Sequence, residues 1–426
     1  MSGALPVIGY AGMTHLGLNS AVAAAERGFA VVAYDPDGRR IAQLARGEPT
    51  VVEPSLAGLM AKNAERLAFT SDAAALARSD VVYVAPDVPT DDAGASDLGP
   101  LRALIAAVEP ALKAGATMVV LSQVPPGFTR GLARAEGQRF YQVETLIFGR
   151  AVERALHPER FILGCADPRR PLPPALAAFL AAFGCPILPM RYESAELCKI
   201  AINFFLVASV SAANTLAELS ERIGADWSEI VPALRLDKRI GPHAYIAPGL
   251  GIAGGNLERD LATVVHMAAA VGSDVGVVLA WQANSRHRRF WVLRRLHETV
   301  LARHADPLIG VLGLAYKEDT HSTKNSPSLA LIAALKPFRL RAFDPVVKVE
   351  PGWHPALVEA RDALDACRGA DAVAIMTPWQ PFKALAPAAM AEVMAGRIVI
   401  DPYGVLDGRA CAEAGLEQHR LGAPGG

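Results

Sequence analysis

The chain has 426 residues, enough for two or three domains with separate cores. It is 52% hydrophobic and 20% charged, with a formal net charge of −1 and a pI near 6.8, a balance that favours neither nucleic acid nor an anionic membrane as partner. Five scattered cysteines (Cys165, Cys185, Cys198, Cys367, Cys411) show no CxxC or Cys/His ligand spacing, so reduced thiols, a cytoplasmic setting and no metal centre are expected.

Met1-Ser2-Gly3-Ala4-Leu5 has no basic n-region and runs directly into an apolar strand pattern, so no signal peptide is expected. No uninterrupted apolar run approaches the roughly 18–20 residues of a membrane helix. Pro6–Gly9 reads as a strand, and Gly17–Arg27 as the helix after it. Ala30–Asp35, Asp80–Ala85 and Thr117–Leu121 read as further strands. This repeated strand–helix–strand order predicts a parallel sheet covered on both faces. From Glu193 to about Leu219, and again from Leu261 to about His297, apolar residues recur at helical spacing. A helix apolar around much of its circumference calls for a partner, either another domain or another subunit. The strand pattern restarts at Leu308–Gly313, Leu340–Asp344, Ala372–Met376 and Ile398–Asp401.

Gly12-Met13-Thr14-His15-Leu16-Gly17 lies between the first strand and the first helix, and Asp35 ends the next strand. In that context a glycine turn delivers a pyrophosphate to a helix N-terminus, and the acidic residue takes the ribose hydroxyls. Asp35 favours NAD over NADP, because a carboxylate repels a 2′-phosphate. The central glycine of the pattern is replaced by Thr14.

Other segments share a common pattern. They are Gly47–Pro54, Ala85-Pro86-Asp87-Val88-Pro89-Thr90, Ser122-Gln123-Val124-Pro125-Pro126-Gly127, Val143-Glu144-Thr145-Leu146, Glu196-Leu197-Cys198-Lys199 with Asn203, Asp237–Gly241, the glycine-rich loop Pro248–Asp260, Gly313–Thr320, Lys324-Asn325-Ser326-Pro327 and Ala342–Pro345. Together, over nearly the whole chain, they resemble the UDP-glucose/GDP-mannose dehydrogenase family.

The resemblance implies an α/β fold, with two Rossmann-like doubly wound domains joined by a long helical connector. It implies an NAD-binding domain over residues 1–190, a helical connector and dimerisation domain over 191–300, and a nucleotide-sugar-binding domain over 301–426. The helical connector implies a homodimer in which two subunits bury its apolar face. Gly12, Thr14, Gly17, Asp35, Val88, Ser122 and Gln123 match the cofactor positions. Glu144, Lys199, Asn203 and Asp260 match the catalytic ones. Arg239, Tyr245, Gly251, Lys317 and Lys324 are the candidate contacts to the nucleotide sugar. Lys199 and Asn203, four apart on a helix, project from one face, where an ammonium and a carboxamide can stabilise an oxyanion. Glu144, followed by the apolar Ile147-Phe148, is the expected acid/base, its pKa raised by burial.

The departures from the family pattern are as informative. The loop usually reads P-G-x-G-F-G-G-S-C-F-P-K-D, and its cysteine holds the sugar aldehyde between two oxidations. Asn256 occupies that position, and a carboxamide is no nucleophile. Asp87 replaces a glycine, Val88 and Gln123 replace threonines, and Asp401-Pro402-Tyr403-Gly404 lacks the family's D-G-R arginine. The expectation is therefore an NAD-dependent dehydrogenase acting on a hydroxyl of a nucleotide sugar, probed as a UDP-hexose, by a single two-electron step. Two alternatives stay open: an NAD-retaining epimerase or isomerase, and a non-catalytic sugar-nucleotide binding protein.

Overall fold

The computed structural model describes residues 4–91 and 95–424. The chain divides into two compact units, Met1–Ile202 and Asn203–Gly426.

The first unit is built on strands β1 (Ile8–Ala11), β2 (Val31–Tyr34), β3 (Leu67–Thr70), β4 (Val81–Val84), β5 (Thr117–Val120), β6 (Arg139–Gln142), β7 (Phe161–Cys165) and β8 (Ile187–Arg191). Their order in the sheet is 3-2-1-4-5-6-7-8. The central strands are short, almost wholly apolar runs because parallel strands are buried on both faces, and β1, β2, β4 and β5 are buried throughout. Alternate residues separate cleanly. Ile8, Tyr10, Val31, Ala33, Val81 and Tyr83 join one apolar cluster with Leu18, Val22 and Phe179. Ala11, Val32, Tyr34, Val82 and Val84 join the other with Leu101, Leu104 and Val108. Beyond the six-strand dinucleotide-type order, β6 and β7 run antiparallel, with Tyr141 opposite Gly164.

The order reverses between β1 and β4, and there the loops at the carboxyl ends of the strands open a crevice suited to a ligand. The Gly12 turn follows β1, Pro86–Thr90 follows β4, Ser122–Gly127 follows β5, and Glu144 follows β6.

The second unit repeats this plan with β9 (Leu308–Leu312), β10 (Arg339–Phe343), β11 (Leu357–Glu359), β12 (Ala372–Ile375), β13 (Ile398–Ile400) and β14 (Glu417–His419) in the order 11-10-9-12-13-14. Asp344, at the end of β10, is buried and accepts hydrogen bonds from the amides of Leu314, Ala315, Val346 and Val347. It fixes the turn after β9 that carries Lys317.

The helix expected from Glu193 spans Tyr192–Ile223, 32 residues. By length and composition alone it is apolar enough to cross a membrane, which differs from the expectation drawn from uninterrupted runs. The discrepancy arises because Glu196, Lys199, Asn203 and Asn214 interrupt the apolar sequence without lowering its average below the membrane range. Three of these polar residues, Glu196, Asn203 and Asn214, are buried. The second predicted helix, Leu261 to His297, is corrected to three: Asn256–Val271, Gly276–Arg289 and Trp291–Leu296. Gly272, at φ 70°, ends the first of these in the left-handed conformation that favours glycine. The second of these helices ends in the basic residues Arg286, His287, Arg288 and Arg289, and part of this run is internal. Arg288 is fully buried and pairs with Glu218 at 3.2 Å and Glu221 at 3.4 Å.

Candidate active site

In the first unit, Gly12 adopts φ 94°, and a Cβ there would lie 2.8 Å from Pro86 N. A Cβ on Gly17 would lie 1.8 Å from the Gly12 carbonyl oxygen. Glycine at these two positions lets the helix His15–Glu26 begin directly against the turn, which is the close approach a dinucleotide requires. The residues therefore fit the cofactor at the turn. Asp35 is placed beside it but is 1% exposed. Its Oδ2 accepts from Met13 N at 2.6 Å, its Oδ1 accepts from Asp37 N at 2.9 Å, and both oxygens accept from Arg40 Nη1 at 2.9 Å. Four hydrogen bonds fill a carboxylate's acceptor sites, so Asp35 here holds the turn and Arg40 rather than presenting open oxygens to a ribose.

Thr14 caps the helix without a side-chain bond to its amides. Its Oγ1 instead accepts from Asp87 N at 2.8 Å, while Asp87 Oδ2 accepts from His15 N at 3.0 Å. Ser122 is buried and donates to Pro86 O at 2.5 Å. Val88 packs against the apolar cluster behind the sheet, and Gln123 is half-buried beside Ser122.

Glu144 and Lys199 come together. Lys199 Nζ donates to Glu144 O at 2.9 Å and lies 3.5 Å from Glu144 Oε2, both side chains being mostly buried. Glu144 also accepts from Leu146 N. Ile147 and Phe148 are exposed, and Phe148 stacks on His15 with ring centroids 4.1 Å apart. Cys198, next to Lys199, packs towards the sheet.

In the second unit, Asn203 and Asp260 meet: Asn203 Nδ2 donates to Asp260 Oδ2 at 2.5 Å, and Arg259 lies 3.5 Å from Asp260 Oδ1. Asp260 is 1% exposed. Ahead of it, the Pro248–Gly255 loop is tied down at each step. Gly249 N donates to Asn214 Oδ1 at 2.8 Å, Ile252 N to Ser285 Oγ at 2.7 Å, and Gly254 N to Lys324 O at 3.1 Å. Gly251, at φ 87°, sits where a Cβ would lie 2.5 Å from Ser285 O. This clamped loop delivers Asn256, exposed, as the first residue of the 16-residue helix Asn256–Val271. Lys324 and Lys317 are half-buried in the segment following β9. Arg239 and Tyr245 are exposed, and Arg239 is paired with Asp237 at 2.6 Å.

Three residues outside the expected site set shape it. Glu196 is fully buried and accepts from Gly127 N at 2.6 Å and Thr129 N at 2.8 Å, fixing the segment after β5 to the long helix; burial pushes its carboxyl above the usual range. Glu53 accepts from His15, Gly149 N and Ala151 N. Both glutamates lie in the shared motif segments, and an acid inside an apolar motif was the available signal. Glu258 pairs with Arg289 and accepts from Asn325, and its pKa is nonetheless raised by burial.

Two sheets in the dinucleotide-type order, one with a glycine turn at its switch point, define a nucleotide-binding α/β protein. The description "UDP-glucose/GDP-mannose dehydrogenase family" matches in three parts: its NAD binding domain over residues 7–175, its central domain over 193–286 and its UDP binding domain over 310–408. UDP-glucose 6-dehydrogenase of Pseudomonas aeruginosa is 30% identical over 439 residues, covering 97% of this chain and 96% of the relative. UDP-glucose 6-dehydrogenase TuaD of Bacillus subtilis is 28% identical over 430 residues, covering 97% and 92%. The solved structure of a UDP-glucose dehydrogenase from Pyrobaculum islandicum superposes with a TM-score of 0.83 at 28% identity, covering 96% of this chain and 98% of that one. The chain belongs to the UDP-glucose/GDP-mannose dehydrogenase family, and its cofactor is NAD.

Proposed function

We propose that this protein oxidises one hydroxyl of a nucleotide sugar, a UDP-hexose, with NAD, and stops after a single two-electron step. The observation that carries the reading is Asn256, exposed at the start of its helix where the resembled loop has a cysteine. Cys165, Cys367 and Cys411 are buried, and Cys198 packs towards the sheet. A thiol for covalent capture of an aldehyde is therefore not supplied by the loop.

NAD, when bound, accepts the hydride from the carbinol carbon. The chain's own groups manage the proton and the charge. Glu144, beside the Lys199 ammonium, accepts the hydroxyl proton, directly or through water. Lys199 and Asn203, one helical turn apart, stabilise the oxygen as it gains negative charge, and Asp260 orients the Asn203 carboxamide. Lys317 and Lys324 neutralise the phosphates of the sugar nucleotide. Residues 1–190, 191–300 and 301–426 serve in this reading as the cofactor, connecting and nucleotide-sugar parts.

A second copy covers the apolar face of the long helix, where Phe205, Leu216, Leu219 and Ile223 are 77%, 47%, 50% and 66% exposed. A twofold homodimer is the commonest solution for such a face, and the reaction is assigned to the cytoplasm. The test is NADH formation with a panel of nucleotide sugars, together with the mass of each product. One NADH per sugar and a carbonyl product support the reading, and a uronic acid sinks it. An altered sugar without net NADH indicates an epimerase, and binding without turnover indicates a non-catalytic protein.

A further inference from the structure

The start of the helix His15–Glu26 is already engaged by the protein's own carboxylates. Met13 N donates to Asp35 Oδ2 at 2.6 Å, and His15 N, two residues on, donates to Asp87 Oδ2 at 3.0 Å. Asp35 is buried at the strand end and bound by Arg40. Asp87 differs: it is exposed, on the loop after β4, and a reciprocal bond from its own amide to Thr14 Oγ1 at 2.8 Å holds it there. The helix has no acidic residue in its first turn and no cap from the Thr14 side chain, so Asp87 supplies the negative charge that its N-terminus favours. A cofactor pyrophosphate belongs at that same end of the helix.

The contact is made by two residues 73 positions apart, and each stands where the resembled pattern has glycine. Glycine at either position would abolish it: without Thr14 Oγ1 the loop amide loses its acceptor, and without the Asp87 carboxylate the helix amide loses its own. The neighbouring side of the turn is rigid. His15 Nε2 bonds Glu53 Oε1 at 2.8 Å, and the His15 ring stacks on Phe148, so the helix start cannot easily withdraw. The exposed carboxylate is the part that can move.

We propose that Asp87 is a built-in competitor of the cofactor's pyrophosphate: it occupies the helix N-terminus in the free protein and must swing out for NAD to bind, thereby setting NAD affinity. The inference rests on the assignment of NAD as cofactor and concerns binding, independently of which sugar is oxidised.

The test is equilibrium binding of NAD, ADP-ribose and adenosine to the full-length wild-type protein and to Asp87→Asn and Asp87→Ala. Removing one carboxylate from a helix N-terminus is expected to tighten NAD and ADP-ribose by roughly two- to fivefold. Adenosine, which lacks phosphate, is expected to bind equally to all three proteins. Thr14→Val, which keeps the side-chain volume but removes the acceptor for Asp87 N, should tighten NAD in the same direction. Unchanged or weaker NAD binding in both Asp87 variants overturns the proposal, and so does equal tightening of adenosine. If neither the wild-type protein nor any variant binds NAD or ADP-ribose, the cofactor assignment itself fails, an outcome distinct from an Asp87 without effect.

Discussion

Replacing Asn256 by cysteine would supply the thiol that the proposed function takes to be absent, and the structure sets what it would gain. Residue 256 is exposed and opens a helix of 16 residues, with the loop before it anchored by Asn214, Ser285 and Lys324. The amide ends of such a helix stabilise an exposed anion by about 0.3–1 kcal/mol, which lowers an ordinary thiol pKa from about 8.5 to about 8. Near pH 8 roughly half of the thiol would then be thiolate, enough to capture an aldehyde held at the loop. The substitution is on the surface and should change stability by less than about 0.5 kcal/mol. The pH dependence of iodoacetamide labelling measures the thiol pKa, and NADH per sugar consumed measures the electrons removed. Wild-type protein is expected to release one NADH per sugar with a carbonyl product, and Asn256→Cys to release two with an acid. Two NADH per sugar from the wild type would refute the reasoning, because oxidation would then proceed without a thiol.

Three further outcomes follow from the geometry. Gly17→Ala drives a methyl group to 1.8 Å from the Gly12 carbonyl oxygen; relief by backbone movement costs about 1–3 kcal/mol, so Tm should fall and NAD binding should be lost, and unaltered binding would show that the turn is not the cofactor site. Asn203→Asp sets a second buried carboxylate 2.5 Å from Asp260 Oδ2. It should destabilise by roughly 3–5 kcal/mol near pH 8, with the loss shrinking on acidification as the pair takes up a proton, and a pH-independent loss in denaturant titrations would contradict this. Glu196 has a folded-state pKa raised by burial, so the unfolded chain releases its proton first as pH rises, and the stability this group contributes is lost as pH passes through the raised value. Denaturation of Glu196→Gln at pH 4–8 should lack that component, and identical pH profiles for variant and wild type would count against it.

The fold was legible where physics acts locally. Strands such as Val81–Val84 are uniformly apolar because both faces are covered, and Gly17 is required by a contact within its own turn, with the Gly12 carbonyl oxygen. Gly251 was legible only through the resemblance of its loop, because the group that excludes a side chain there is Ser285, far along the chain. Helix ends were less so: the break at Gly272 depends on one left-handed residue within a continuous apolar period. Partnerships between distant residues left no spacing to read. Asp35 was located from its place after β2, yet nothing local showed that Arg40 and two amides would occupy its oxygens. Glu53 reaches His15 across 38 residues and Ala151 across 98, which only the closed sheet makes possible.

Once placed in the fold, four of the departures from the family pattern form two contacts. Thr14 and Asp87, each in place of a glycine, bond to one another. Glu258 stands where the pattern has proline and Asn325 where it has glutamate, and the Asn325 carboxamide donates to the Glu258 carboxylate. The second pair amounts to a carboxylate moved from one side of a contact to the other, still balanced by Arg289 at 3.1 Å. Unselected losses would leave buried polar groups without partners, at about 1–3 kcal/mol each. Here four of the substitutions meet in two pairs, while Glu144 with Lys199 and Asn203 with Asp260 keep close contact. That pattern is what the proposed function requires, and in that proposal Asn256 is the substitution that alters the reaction rather than the fold.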